Sequence, residues 1–132
     1  MRKVYKIVSV TQKFPNIAMS TKQIYMRFLN LLQVLEVEQT QSIDLDAKKL
    51  LEVIAVRFEQ EKPLTVTEAM SLESIASPAT IHRKLDQLRE LGFIDTVFEG
   101  KNRRTKYIVP TQNAHDYFES VGRVMQAALQ TA

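Results

Sequence analysis

Apolar positions recur at spacings of three and four along most of this chain, and switch to alternation only between residues 93 and 109. The first spacing keeps side chains on one side of an α-helix, and the second keeps them on one face of a strand. The chain therefore predicts helices interrupted by one hairpin. Ile24, Phe28, Leu31, Leu32 and Leu35 form a stripe on a helix over about 21–38, which Ser20-Thr21 begins. Tyr25, Leu29 and Val34 widen that stripe well past one face. A helix of this kind is covered on more than one side, either by a second copy of the protein or by the core of its own chain. Residues 39–42 are a polar connector. Leu50, Leu51, Ile54, Ala55 and Phe58 then mark a helix over about 45–61, begun by Asp44 or Asp46. Lys62-Pro63 ends it, because the residue before proline avoids the helical region.

A short helix over about 66–72 follows, capped by Thr65 or Thr67, with Ala69, Met70 and Leu72 inward. Residues 73–76 are a turn, and 77–91, SPATIHRKLDQLREL, make the next helix. Ser77 suits the N-cap, and Pro78 suits the first helical position, where its missing N–H has no partner to lose. Ile81, Leu85, Leu88 and Leu91 form its buried back, and Gly92 stops it. Its front carries Ala79, Thr80, His82, Arg83, Lys84 and Gln87, which are small or hydrogen-bonding residues. Residues 93–99 and 104–109 alternate as strands around a turn at Gly100-Lys101-Asn102, and Pro110 stops the second. Thr111 caps a last helix over about 112–130, within a C-terminal segment of 111–131. Its stripe is Ala114, Tyr117, Phe118, Val121, Val124, Met125, Ala128 and Leu129. Gly122 interrupts that stripe and reads as the mark of a close helix crossing. Residues 1–18 are either a short strand or an arm lying on another subunit.

The expected fold is mainly α with a small β-hairpin wing. A winged helix-turn-helix occupies residues 44–110 of a single 132-residue domain, flanked by N- and C-terminal dimerisation helices. Charge sharpens this picture. Residues 77–110 hold Arg83, Lys84, Arg89, Lys101, Arg103, Arg104 and Lys106 against Asp86, Glu90, Asp95 and Glu99, an excess equal to the net charge of the whole chain, +3. The excess lies on the amphipathic helix and its hairpin, which favours contact with phosphates. A helix with a buried back and a cationic, donor-rich front meets the demands of a DNA major groove.

Enzyme chemistry finds little support. The chain has no cysteine, which removes thiolate catalysis, disulfides and Cys-ligated zinc. His82 and His115 stand on different helices without a ligand partner at metal spacing. No Gly-rich phosphate loop, nucleophile elbow or HExxH occurs. No cofactor and no metal are therefore expected. The N-terminus lacks the apolar core of a signal peptide, and no run reaches the length of a membrane span. A cytoplasmic protein without membrane contact is the expectation.

The order of elements, together with PLTVTEAM, SPATIHRKLDQLRELGFI and NRRTKYIVPT, resembles the MarR family of winged helix-turn-helix transcription regulators over about residues 44–125. Ser77, Pro78, Thr80 and Arg83 fill that family's S-P-x-T-x-x-R pattern. Asn102, Arg103 and Arg104 match its Asp-Arg-Arg wing tip, with asparagine for the acid, and Pro110-Thr111 replaces Leu-Thr. Two departures are the absence of glycine from residues 73–76 and a single C-terminal helix. The resemblance implies a homodimer bound to a pseudo-palindromic operator on double-stranded DNA. In many members a small ligand lowers DNA affinity; here the effector is unknown. The ligand region of the family would involve Tyr25, Phe28, Phe58 or Tyr117, but such aromatics are more often plain core, and no ligand residue is assigned.

In that arrangement Thr80 and Arg83, with His82, Lys84 and Gln87, read base edges. Ser77, Ala79 and Thr67 meet phosphates at helix starts, and Lys101, Asn102, Arg103, Arg104 and Lys106 form a wing that reaches phosphates or the minor groove. Two alternatives remain open at the level of sequence. One is a winged module of plasmid or phage replication, partition or chromosome architecture. The other is a winged domain turned protein-interaction scaffold.

Overall fold

The computed structural model describes residues 19–39 and 43–130. The strand or arm expected over 1–18 lies outside the described residues, as do 40–42 of the connector. Seven elements follow in order: α1 (Thr21–Gln39), α2 (Leu45–Glu59), α3 (Val66–Met70), α4 (Pro78–Glu90), β1 (Ile94–Phe98), β2 (Lys106–Pro110) and α5 (Gln112–Leu129). The architecture is the expected one, helices with one antiparallel hairpin.

Local chemistry accounts for most of the boundaries. Asp44, not Asp46, caps α2, its carboxylate accepting the Ala47 N–H at 2.8 Å. Thr65, not Thr67, caps α3. Its hydroxyl accepts from the Glu68 N–H at 3.1 Å while the Glu68 carboxylate accepts from the Thr65 N–H at 2.9 Å, so two orphan donors are satisfied at once. Ser77 caps α4 with Pro78 in its first turn. Thr111 caps α5, and its hydroxyl also donates to the Gly92 carbonyl, tying the end of α4 to the start of α5. Gly92 has φ +83, a conformation that a side chain resists.

Three boundaries differ from the sequence reading. α2 stops before the Lys62-Pro63 step, because the chain turns left-handed at Glu61, φ 61. The Lys62 N–H reaches the Arg57 carbonyl and the Glu61 N–H reaches Phe58, which closes the helix end ahead of the proline. α3 ends at Met70, and Leu72 lies in the turn that follows, accepting from the Ile75 N–H at 3.0 Å. Pro110 belongs to β2, paired with Ile94, since its fixed φ suits extended chain at a strand end.

One core joins α2, α3, α4, the hairpin and the start of α5. Leu50, Leu51 and Ile54 of α2 meet Ile81, Leu85 and Leu88 of α4, with Leu64, Ala69, Phe93, Ile94, Ile108 and Ala114. Full burial of each Leu or Ile contributes about 1.5–3 kcal/mol. The hairpin is anchored from a second side: the Ile108 N–H donates to the Leu64 carbonyl at 2.8 Å, and Thr65 bridges to Tyr107. The chain entering α3 thus lies along β2 and fixes the wing to the helix-turn-helix.

α1 stands apart from that core and packs along α5. No residue from Thr21 to Val37 is fully buried. Leu31, Val34 and Leu35 face Ser120, Val124 and Ala127 across a shallow groove of about 350 Å³. Gly122 marks no close crossing among the described residues, because a Cβ built there meets none of their atoms within 4 Å. No helix of the described residues is long and apolar enough to cross a membrane.

Candidate nucleic-acid interface

The front of α4 is organised by one hydroxyl. Ser77 accepts the Thr80 N–H at 3.3 Å and donates its own hydroxyl to Thr80 Oγ1 at 3.0 Å. The same Oγ1 accepts from Arg83 Nη2 at 3.0 Å. The cap, the first turn and the guanidinium are joined in one chain of hydrogen bonds, and the positions three apart make this possible. Arg83 is exposed and has no carboxylate within 4 Å among the described residues. Ala79 and His82 are exposed beside it, and Gln87 is half-buried.

The other cations of α4 are compensated. Lys84 donates to Asp44, the cap of α2, so its charge is directed toward the neighbouring helix. The Lys84 ammonium, followed by the Ala47 N–H, holds the Asp44 carboxyl below the usual carboxylate range. Asp86 serves two neighbours: Arg89 at 3.0 Å and His82 Nδ1 at 3.5 Å. Thr67 is exposed on α3, with its carbonyl accepting the Ser71 hydroxyl.

The wing cations, by contrast, have no such ion pairs among the described residues. Lys101, Asn102, Arg103 and Arg104 are exposed in the loop between β1 and β2, and Lys106 is exposed at the start of β2. Among the described residues no carboxylate lies within 4 Å of any of these four cations. Gly100 turns with φ +57. Asn102 shapes the tip: its N–H donates to the Glu99 carbonyl at 3.1 Å, and its Oδ1 accepts the Arg104 N–H at 2.9 Å. An asparagine side chain folding back on its own backbone is a turn former, so the residue standing in place of the acid orders the loop without an ion pair. Phe98 lies beneath two of the cations, with Arg103 Cζ 5.5 Å and Lys106 Nζ 5.9 Å from its ring centroid.

Three features of this surface escaped the sequence reading. The Asp44–Lys84 pair spans forty positions and carries no local signal. The place of Phe98 under the wing follows from the strand register, which sets it opposite Lys106. The third, the pairing of Asp86, had a local signal, since Asp86 lies four residues from His82 and three from Arg89.

The aromatics weighed as a ligand region do not form one group. Tyr25 pairs with Phe28 on α1 at 6.4 Å, and Phe58 meets the ring of His115 at 5.9 Å. Tyr117 stands between Phe93 and Phe118, where loss of water raises its phenol pKa. Nearby, Lys48 joins α2 to Glu36 of α1 at 2.9 Å, and that carboxylate raises the Lys48 pKa. Among the described residues no three His, Asp or Glu side chains converge as metal ligands.

No protein-family model and no curated protein matches this chain. Solved structures do. RV1404 from Mycobacterium tuberculosis superposes with a TM-score of 0.54 at 16% identity, covering 84% of this chain and 77% of its own. The transcriptional regulator Tm0710 from Thermotoga maritima gives 0.55 at 13% identity, covering 96% and 75%. YusO from Bacillus subtilis gives 0.50 at 16% identity, covering 96% and 77%. At such identities the likeness is one of backbone arrangement, and by that arrangement the chain shares the winged helix fold of these structures.

Proposed function

We propose that this protein is a homodimeric, sequence-specific regulator of transcription that binds double-stranded DNA. The observation that carries the reading is the distribution of free charge. On α4 the cations other than Arg83 are paired with Asp44 or Asp86, while the four wing cations have no carboxylate within 4 Å among the described residues. Uncompensated cations on an exposed loop, next to a helix that presents Thr80 and Arg83, suit a phosphate-lined partner with readable base edges. α4 enters the major groove, Arg83 meets a base edge, the capped start of α4 meets phosphates, and the wing follows the backbone or the minor groove. The regulator's fold in Tm0710 agrees with this reading.

The dimer rests on α1 and α5. Tyr25, Met26, Val34 and Val37 of α1 and Met125 and Leu129 of α5 are large, apolar and exposed, Val37 at 78% and Leu129 at 62%. Apolar side chains gathered on two adjacent helices suit an interface, and a second copy supplies the symmetric partner that a palindromic operator needs. Two measurements test the proposal: the molar mass by light scattering, and selection of bound duplexes from a random pool. A dimer that enriches an inverted repeat is expected. Binding that is equally tight to all duplexes removes sequence-specific regulation and leaves the architectural reading. No binding at all leaves the scaffold.

A further inference from the structure

We propose that Phe98 is a positioning residue of the wing, a platform that holds the side chains of Arg103 and Lys106 ready for phosphate. The inference rests on the DNA reading above. Phe98 ends β1 directly opposite Lys106, the first residue of β2, so the hairpin register sets one cation beside the ring. Arg103 returns from the loop to the same ring. The two cationic groups stand 5.5 and 5.9 Å from its centroid, within reach of the negative ring face. Phe98 is half-buried and thus fixed, while Arg103 and Lys106 are exposed and otherwise free of ion pairs among the described residues.

The choice of ring over carboxylate has a chemical consequence. An acidic partner would order these side chains but would also cancel their charge and repel phosphate at the same distance. An aromatic face orders a cation and leaves its charge intact. Long side chains lose considerable rotamer freedom when they bind, and a platform removes part of that loss beforehand. Asn102 does the corresponding work for the backbone of the tip, again with a neutral group. The wing is thus arranged to be rigid without surrendering positive charge.

The test is a thermodynamic cycle on the full-length protein, read as duplex affinity over a salt series. Phe98→Leu removes the ring face and keeps apolar bulk; Phe98→Tyr keeps the face. Losing both contacts is expected to weaken binding by roughly threefold to tenfold, with Phe98→Tyr close to the parent. In a background of Arg103→Ala and Lys106→Ala, Phe98→Leu is expected to have no further effect, because its role runs through those two side chains. An additive loss in that background overturns the proposal and makes Phe98 a plain hairpin residue. Proton spectra of the free protein supply a second readout: the ring should shift side-chain resonances of Arg103 and Lys106 upfield, in the parent and in Phe98→Tyr but not in Phe98→Leu. Absence of that shift in the parent overturns the platform while leaving the DNA reading intact. A parent that shows the shift but binds no duplex overturns the DNA reading and the positioning role with it.

Discussion

Lys84, a cation on the front of α4, donates to the carboxylate of Asp44, the residue that caps α2. One side chain therefore begins one helix and tethers another. Its pKa sets a pH dependence whose sign is fixed. The folded carboxyl lies below its unfolded value, so the native state binds fewer protons and the contribution is complete above the ordinary carboxylate range. It is lost as pH falls through the depressed folded value. Asp44→Asn keeps a capping oxygen but not the ion pair. Its melting temperature should lie below the parent's at neutral pH, and the two should converge in acid. A constant gap across the titration would count against the pair as the source.

Thr80 joins the cap of α4 to the guanidinium of Arg83. Thr80→Val keeps the shape and removes the acceptor. We expect affinity for the selected duplex to fall about fivefold, corresponding to roughly 1 kcal/mol for one hydrogen bond, with binding to unrelated duplexes little changed. Thr80→Ser should restore most of the difference. Equal losses on both kinds of DNA would show that Thr80 acts on the helix itself.

Arg89 and Arg104 have the same charge in different settings. Arg89 is paired with Asp86, whereas Arg104 has no carboxylate within 4 Å among the described residues. Each phosphate contact adds about 0.9 to the slope of log affinity against log salt. Arg104→Ala should flatten that slope by about one unit, and Arg89→Ala should leave it unchanged. The reverse ordering would move the phosphate contact from the wing to the helix.

Glu61 holds φ 61 at the end of α2 without being glycine. Its side chain is exposed, and nothing in the helix end requires it. The left-handed conformation costs an ordinary residue about 1–2 kcal/mol. Glu61→Gly should raise stability by up to about 1 kcal/mol in urea unfolding, after the greater freedom of unfolded glycine is subtracted. DNA affinity should not change.

Met125 and Leu129 expose much of their surface on the face that we assign to a second copy. Changing both to glutamate should lower the molar mass to that of one chain, with helical content by circular dichroism retained. Duplex affinity should fall with the dimer, since two linked reading heads exceed one. A mass unchanged by the double substitution would place the interface elsewhere.

The helices, the caps at Ser77 and Thr111, the proline at the start of α4, the hairpin and the stop at Gly92 were legible along the chain. Each depends on residues within a few positions of one another. The front of α4 was legible too, because residues of one helical face lie at fixed spacing. Thr80 and Arg83, three apart, meet in space for that reason. The end of α2 was misread because glutamate gives no sign of a left-handed turn, and only the hydrogen bonds that close there reveal it.

What the sequence by itself determined is the set of elements and the concentration of charge on residues 77–110. What the tertiary structure decided is which of those charges remain free. Asp44 meets Lys84 across forty residues, and Phe98 meets Lys106 because of a strand register. Local rules fix backbone shape through neighbours in sequence, but compensation of a charge depends on what the folded chain brings within a few ångströms of it.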